Sequence, residues 1–139
     1  MKETAKAIGN YGEDLAERYL KKRGWRILSR NFSVRGGEID IIGYRGGRLV
    51  FFEVKARTGE AFGKPHEAVD AEKVANIRKT ARAFLTAYRF GGKISVFYPF
   101  GIEIKRKIRK QRIDVIEVYL GTDRSVKQIN HIKDWEKRL

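Results

Sequence analysis

The chain has 139 residues, 42% of them hydrophobic and 12% aromatic, values typical of one globular domain, which we expect to span residues 1–139. The sequence has no cysteine, no apolar leader and no apolar run of roughly 18 residues, which excludes disulfides, thiolate metal sites and membrane helices and favours a cytoplasmic location. The net charge of +14 favours a polyanionic partner, most often nucleic acid, with solvated surface as the alternative for part of the excess.

The first predicted helix ends at Gly24, because a glycine directly after an amphipathic run is typical of a helix C-terminus. It starts at Thr4 or at Asn10, since both residue types cap helices. Glu13 lies three residues after Asn10, the spacing of a capping box in which the glutamate bonds back to the helix start. A strand over residues 25–32 follows the helix.

Two apolar segments, residues 37–42 and 49–55, then flank Gly46-Gly47, which is the pattern of a two-residue β-hairpin. The turn fixes the register of the two predicted strands, and side chains alternate between the two faces of the hairpin. One face is a core surface, formed by Ile39, Ile41, Val50, Phe52 and Val54.

Four charged residues lie on the other face of this hairpin, where Asp40 faces Glu53 and Glu38 faces Lys55. Two opposed carboxylates have Cβ atoms about 5 Å apart, and their repulsion at an effective dielectric of about 20 is on the order of 3 kcal/mol. We therefore expect a cation between them. Oxygen ligands without a nearby His or Cys favour Mg²⁺ or Mn²⁺ over zinc, with the backbone carbonyl of Val54 as a further ligand.

This constellation is typical of a phosphodiesterase site, because a metal stabilises charge on the phosphoryl oxygens and lowers the pKa of the attacking water. Asp40 and Glu53 would bind the metal, and Lys55 would position the water or stabilise the developing charge. The alternative is a Glu38–Lys55 salt bridge with both carboxylates on an exposed sheet edge. Apolar side chains on the same face argue against that alternative, because they imply that the face is covered.

An apolar stripe predicts a long helix from His66 to Tyr88 in the second half of the chain. Strands are predicted at residues 94–97, 101–105 and 112–118, and the tail from Ser125 is predicted to form a short strand and then a helix. Together with the first half, this order is typical of an α/β fold with a mixed sheet covered by helices.

Tyr98-Pro99-Phe100-Gly101 joins the first two of these strands, and its proline is placed as a type I turn prefers. We expect Phe97 and Tyr98 to pack in the core or against the turn rather than to stack on bases. The segment 105–112 has six basic residues in eight, and it either grips a duplex backbone or forms a solvated hairpin. The candidates for phosphate contacts in it are Lys105, Lys107 and Arg109.

The two segments of the hairpin, Gly37-Glu38-Ile39-Asp40 and Phe52-Glu53-Val54-Lys55, resemble the PD-(D/E)XK nuclease superfamily. The closer resemblance is to the YraN family of small bacterial proteins, which is similar in turn to archaeal Holliday junction resolvases. The resemblance covers most of residues 8–90, whereas residues 95–111 match it poorly. The shared pattern also includes Gly12-Glu13, Gly24, Arg30-Asn31, Glu67-Ala68-Val69 before Lys73, and Arg112-Ile113-Asp114-Val115.

The resemblance implies a restriction-endonuclease-like three-layer fold, with a central mixed sheet flanked by helices. It also implies that Asp40, Glu53 and Lys55 are catalytic and that Glu13 completes the metal site. Glu38 would then support Lys55. Because resolvase-like relatives act as dimers on two-fold symmetric junctions, a homodimer is implied as well.

The resemblance implies that Arg57 and Lys73 lie near the site and contact phosphate. The alternative is that both are ordinary surface charges. The hypothesis is a metal-dependent endonuclease that hydrolyses DNA phosphodiester bonds, and only the resemblance supplies a preference for branched or junction structures. The first alternative is a non-catalytic nucleic-acid-binding module with a nuclease fold. A further alternative, an interaction module of a larger complex, explains the basic surface but not the opposed carboxylates.

Overall fold

The computed structural model of the chain describes residues 4–58 and 69–138. Five strands form one sheet in the order β1–β2–β3–β6–β7, and β4 and β5 form a separate two-stranded unit, which we call the ribbon. The elements are α1 (Ala5–Lys22), β1 (Arg26–Val34), β2 (Gly37–Arg45), β3 (Arg48–Thr58), α2 (Ala71–Tyr88), β4 (Lys93–Tyr98), β5 (Ile102–Lys107), β6 (Lys110–Leu120) and β7 (Val126–Ile132), with short 3₁₀ turns at Pro99–Gly101 and Trp135–Arg138.

Strands β3 and β6 are parallel, whereas every other neighbouring pair in the large sheet is antiparallel. A parallel connection needs a crossover, and α2 and the ribbon lie between β3 and β6 in the chain. Helix α1 packs on one face of the sheet and α2 on the other. The predicted three-layer α/β fold with a central mixed sheet is therefore confirmed.

Two separate apolar clusters fill the space on either side of the sheet. The cluster under α1 includes Leu20, Trp25 and Phe52, and the cluster under α2 includes Phe51 and Phe84. Because β3 contributes neighbouring residues to both clusters, it is covered on both faces, as a central strand in a three-layer fold requires.

Helix α1 begins at Ala5, and the Thr4 hydroxyl accepts a hydrogen bond from the Ala7 N–H at 3.1 Å. Of the two predicted starts, Thr4 is therefore correct, and Glu13 lies in the middle of the helix. The capping-box alternative for Glu13 is wrong for this reason. Gly24 follows the helix with a φ of +87° and donates its N–H to the Lys21 carbonyl, which confirms it as the terminating residue.

Helix α2 begins at Ala71, where Asp70 caps the helix by accepting a hydrogen bond from the Lys73 N–H at 2.9 Å. Val69 and Asp70 are not helical, so the predicted helix over these two residues is wrong. The rest of the expected start, including His66 and Glu67, lies outside the described residues. None of the helices in the described part of the chain has the length and apolarity that crossing a bilayer requires.

The ribbon differs from expectation in two places. Phe100 has a φ of +65°, which is incompatible with the second central position of a type I turn, so the predicted turn type is wrong. Phe97 is 62% exposed, so it does not pack in the core. Tyr98 does pack against the cluster under α2, as expected, and the guanidinium groups of Arg26 and Arg106 lie 4.6 and 5.5 Å from its ring centroid.

Candidate functional site

The Gly46-Gly47 hairpin has the predicted geometry. Gly46 and Gly47 have φ values of +55° and +84°, and positive values at both positions are the requirement of a type I′ turn. The strand pairs follow the predicted register from the turn as far as Ile41 opposite Phe52. The regular pairing ends there, one position before Asp40 and Glu53.

Asp40 takes the place of a backbone acceptor where the pairing ends. Its Oδ2 accepts the Val54 N–H at 2.8 Å. Continued antiparallel pairing would direct this N–H to the backbone of Ile39 instead. Strands β2 and β3 therefore separate at this point, and the Asp40 carboxylate lies in the opening.

The alternation of side chains along β2 is also interrupted at Asp40. Ile39 packs in the cluster under α2 together with Ile42, whereas Ile41 packs under α1. The prediction that Ile39 and Ile41 share a face is wrong. On the neighbouring strand, the register would pair Asp40 with Asn31, but Asn31 has a φ of +52° and the pair is not formed. Both strands thus change face at the level of the candidate site.

The Asp40 carboxyl is held in a strongly anionic environment. Burial raises its pKa, the neighbouring Glu53 carboxylate raises it further, and Glu13 and Glu38 add to this, so that the pKa reaches about 7 although the Val54 N–H favours the charged form. At neutral pH a bound cation would therefore be needed to keep both carboxylates fully ionised. Glu53 is therefore close enough to raise the pKa of Asp40, although the two residues do not form a pair in the strand register.

Glu53 is buried on β3, and two ammonium groups approach its carboxylate. Its Oε1 lies 3.6 Å from Lys55 Nζ and 3.4 Å from Lys73 Nζ. Lys73 comes from the first turn of α2, so the structure brings it into the site rather than leaving it on a remote surface. The two lysines thus compensate part of the negative charge of Glu53.

Glu38 does not support Lys55. It is exposed and pairs across β1 with Ser33, and β2 and β3 have already separated at its level. No ion pair joins Glu38 to Lys55 among the described side chains, so the predicted contact between them is absent. The sequence could not show this, because the separation depends on the bend at Asp40.

Glu13 lies near the site on α1, but its carboxylate is engaged by another strand. Arg30 Nη2 lies 3.3 Å from Glu13 Oε1, and the same guanidinium contacts Asp14 and Glu17 at 3.2 and 3.1 Å. Glu13 is close enough to Asp40 to raise its pKa. The structure therefore places Glu13 near Asp40, but among the described residues Glu13 does not form a metal-binding cluster of three side chains.

The metal-ligand set offered by the chain is small. No three Asp, Glu, His or Cys side chains within residues 4–58 and 69–138 lie close enough together to hold a metal ion. Asp40, Glu53 and the Val54 carbonyl provide oxygen donors only. This set fits Mg²⁺, which keeps several waters and is held in proteins by one or two carboxylates together with substrate phosphates.

Sequence reasoning missed two residues of β6 beside the site. In the parallel pairing, Glu117 lies next to Lys55 and Tyr119 lies next to Arg57. Glu117 is fully buried, and burial and its carboxylate raise the pKa of Tyr119. Arg57 bonds with Tyr119, so it belongs to this polar layer and is not simply surface charge. The signal was available, since Ile-Glu-Val-Tyr on β6 repeats the pattern of Phe-Glu-Val-Lys on β3.

The basic segment lies beside the start of β3, away from Glu53 in the middle of that strand. Arg109 donates its N–H to the Gly47 carbonyl at 2.8 Å, and Lys110 pairs with Arg48 at the start of β3. Glu53 is five residues further along β3, a distance of about 17 Å at the usual rise per residue. Lys105, Lys107 and Arg109 are exposed, and the structure does not bring them to the carboxylates.

A second buried carboxylate, Asp114, is structural. It accepts hydrogen bonds from Arg112 at 2.9 Å and from the Asp134 N–H at 2.9 Å, and His131 Nε2 lies 2.7 Å away. Burial alone would raise the pKa of Asp114, but His131, Arg112 and the Asp134 N–H together lower it. This network joins β6 to β7 and to the tail, so His131 has a structural role.

The sequence model of the uncharacterised protein family UPF0102 matches residues 12–118. The chain is 41% identical over 134 residues to a UPF0102 protein of Clostridium botulinum, covering 96% of this chain and 97% of the relative. It is 38% identical over 128 residues to UPF0102 protein TTE1452 of Caldanaerobacter subterraneus subsp. tengcongensis, covering 91% and 92%. A UPF0102 protein of Desulforamulus reducens is 39% identical over 130 residues, covering 93% and 94%.

Proposed function

Because the chain belongs to the uncharacterised, YraN-like protein family UPF0102, whose name assigns no activity, we propose a function from the geometry: a Mg²⁺- or Mn²⁺-dependent endonuclease that hydrolyses DNA phosphodiester bonds. The observation that carries this proposal is the approach of Asp40 and Glu53 where β2 and β3 separate, with Lys55 on the same strand as Glu53. Two neighbouring carboxylates in a largely buried site destabilise the folded state unless a cation is bound. Such an unfavourable arrangement supports a functional role for the two residues.

The metal would be held by Asp40, Glu53 and the carbonyl of Val54, all oxygen donors that Mg²⁺ and Mn²⁺ accept. When bound, it would supply charge stabilisation to the phosphoryl oxygens and a lowered pKa to the attacking water. The bend at Asp40 has a clear role in this arrangement, because it turns a side chain into the position where a backbone carbonyl would otherwise lie.

Lys55 is the residue of the site best placed to act on the substrate. Its side chain is 31% exposed, whereas that of Glu53 is 5% exposed, so the ammonium lies between the buried carboxylate and solvent. From there it would orient the attacking water or stabilise the charge that develops on the phosphate. Lys73, with 44% of its side chain exposed, would contact the phosphate backbone next to it.

The net charge of +14 supports a nucleic-acid substrate, because neutralising phosphates provides affinity without base readout. The PD-(D/E)XK resemblance supports DNA as the substrate and membership of that superfamily. The same resemblance is the basis for proposing that the DNA is branched. Binding through Arg57, Lys73 and the basic segment would be independent of sequence.

A non-catalytic nucleic-acid-binding module is the second candidate, and one observation favours it. Lys55 and Lys73 already approach the Glu53 carboxylate within 3.6 and 3.4 Å, so two fixed cations compensate part of its charge. In a module that does not cleave, these contacts would stabilise the fold without a metal.

A cleavage assay separates the two candidates. Purified protein is incubated with linear, flap, forked and four-way DNA in Mg²⁺, Mn²⁺ or EDTA. We expect metal-dependent cutting of at least one substrate, lost in Asp40→Asn and in Glu53→Gln while DNA binding is kept. Glu72→Gln, which removes an exposed carboxylate from α2, is the matched control and should cut normally. Binding without cutting under all metal conditions would support the second candidate.

A further inference from the structure

The exposed apolar surface of the protein is concentrated on one unit. Among the described residues, every exposed large hydrophobic side chain except Val126 lies between residues 88 and 104, on the ribbon or directly before it. Phe100 at the tip is fully exposed, and Phe90 and Phe97 are 81% and 62% exposed. Exposed apolar side chains grouped on one unit of a highly charged protein indicate an interaction site.

A cleft lies at the base of this surface, where the ribbon meets β1 and the end of α2. Its volume is about 350 Å³, and its apolar walls include the rings of Phe84, Tyr88 and Phe97. Ser29, Ser95 and Glu103 add polar groups to the lining. Aromatic walls with a few polar groups are the features of a site for a flat, hydrogen-bonding ligand.

The charge around the cleft selects the kind of ligand. Glu103 is the only acidic residue of the segment 88–112, which carries Lys93, Lys105, Arg106 and Lys107 on the ribbon itself. A second copy of this chain would bring the same cations against them, and like charges in an interface are unfavourable. A polyanion with flat, apolar faces fits both the charge and the rings.

We propose that the ribbon binds single-stranded nucleic acid, with one unpaired base in the cleft against Phe97 and a neighbouring base on Phe100. This proposal rests on the nucleic-acid part of the proposed function and adds unpaired bases to the substrate. Base stacking on exposed aromatic rings is tolerant of sequence, and lysine and arginine beside the rings contact the phosphates. Glu103 accepts a hydrogen bond from an N–H group of the base in the cleft, which explains one carboxylate in a basic surface.

The bulge in β1 is consistent with this assignment. The register between β1 and β2 shifts between Ile27 and Ser29, so Leu28 has no partner in the β1–β2 pairing. All three residues line the cleft. Because bulges re-aim side chains and end regular pairing, this irregularity forms a wall of the cleft.

Fluorescence anisotropy in EDTA tests the proposal without requiring cleavage. The probes are a labelled oligothymidylate, an abasic oligomer of the same length and a blunt duplex of the same length. We expect Phe97→Ala to weaken binding of the oligothymidylate by about fivefold to a hundredfold, the range for removing the stacking of one base. Binding of the abasic oligomer should change by less than about twofold, because only phosphates are contacted. Phe97→Trp should restore the affinity for the oligothymidylate.

Val126→Ala is the matched control, since Val126 is an apolar side chain on β7 that is 42% exposed and lies outside the cleft. Equal reductions of affinity in Phe97→Ala and Val126→Ala, or equal affinities for the base-containing and abasic oligomers, would overturn the proposal. A change from dimer to monomer in Phe97→Ala with unchanged oligothymidylate affinity would overturn it in favour of a second copy. If Phe97→Ala leaves both duplex cleavage and the binding of single strands unchanged, the proposed base-binding site in the cleft is wrong and the nuclease proposal is unaffected.

Discussion

At the scale of single residues, Asp40 is set apart by the irregular backbone around it, which places its carboxylate between two strands. Its carboxylate accepts the Val54 N–H and faces the Glu53 carboxylate in a partly buried opening between two strands. Burial and like charge both raise the free energy of the ionised form. The protein therefore keeps an unfavourable group where a bound cation would make it favourable.

The titration of Asp40 makes stability depend on pH. Its pKa is raised from 3.8 to about 7 in the folded state, so the stabilisation that the neutral carboxyl provides is complete below about pH 3.8 and is lost as pH rises to about 7. In EDTA at pH 8, Asp40→Asn should raise the free energy of unfolding by on the order of 2 kcal/mol, because it removes a negative charge that burial and Glu53 disfavour. The asparagine side chain can still accept the Val54 N–H. Near pH 4 the variant and the wild type should be equally stable in urea titrations. A pH-independent difference would show that Asp40 does not titrate in this range.

At the scale of elements, the sequence predicted the regular parts of the hairpin well and its irregular part poorly. The Gly46-Gly47 turn determines the pairing as far as Ile41 and Phe52, because a two-residue turn leaves no freedom of register. The irregularity at Asp40 is matched by a positive φ at Asn31 in the adjacent strand, and the cations at Glu53 include Lys73 from α2. Contacts between elements that are distant in sequence cannot be read from local patterns.

The packing of α1 on β3 gives a test at this scale with a built-in control. A Cβ atom on Gly12 would lie 2.6 Å from Ala56 Cβ, whereas a Cβ atom on Gly9 would meet no atom within 4 Å. Gly12→Ala should therefore destabilise the protein by about 1–3 kcal/mol through overpacking. Gly9→Ala, in the same helix, should stabilise it by up to about 1 kcal/mol. Thermal and urea unfolding measure both, and similar effects of the two substitutions would contradict the close approach of α1 to β3.

At the scale of the whole molecule, the basic segment lies beside the start of β3, whereas Glu53 lies in the middle of that strand. The start of β3 and Glu53 are about 17 Å apart, so a nucleic acid bound as proposed would have to span this distance to contact both regions. This distance could not be predicted from the sequence. The sequence shows the excess of positive charge, but it does not show where the charged side chains lie on the folded protein. The proposed phosphate contacts and the proposed metal site thus lie in separate parts of the fold.

Salt dependence tests this division. The triple substitution of Lys105, Lys107 and Arg109 by alanine should lower DNA affinity and reduce the slope of log affinity against log salt by about 3, roughly one for each phosphate that is no longer neutralised. At saturating protein, the rate of cleavage should remain close to that of the wild type, because these side chains are remote from Glu53. An unchanged slope would show that the basic segment is solvated and does not contact the phosphate backbone.

The most direct test of the metal site is a calorimetric titration of metal-free protein with Mn²⁺. We predict that the wild type binds the metal, that Asp40→Asn and Glu53→Gln each abolish this binding, and that Glu72→Gln retains it. We also expect Glu53→Gln to raise stability in EDTA, by removing the repulsion between the two carboxylates, but not in saturating Mn²⁺, where bound metal compensates this repulsion in the wild type. Absence of Mn²⁺ binding in the wild type, or equal binding by all four proteins, would contradict the metal site at Asp40 and Glu53.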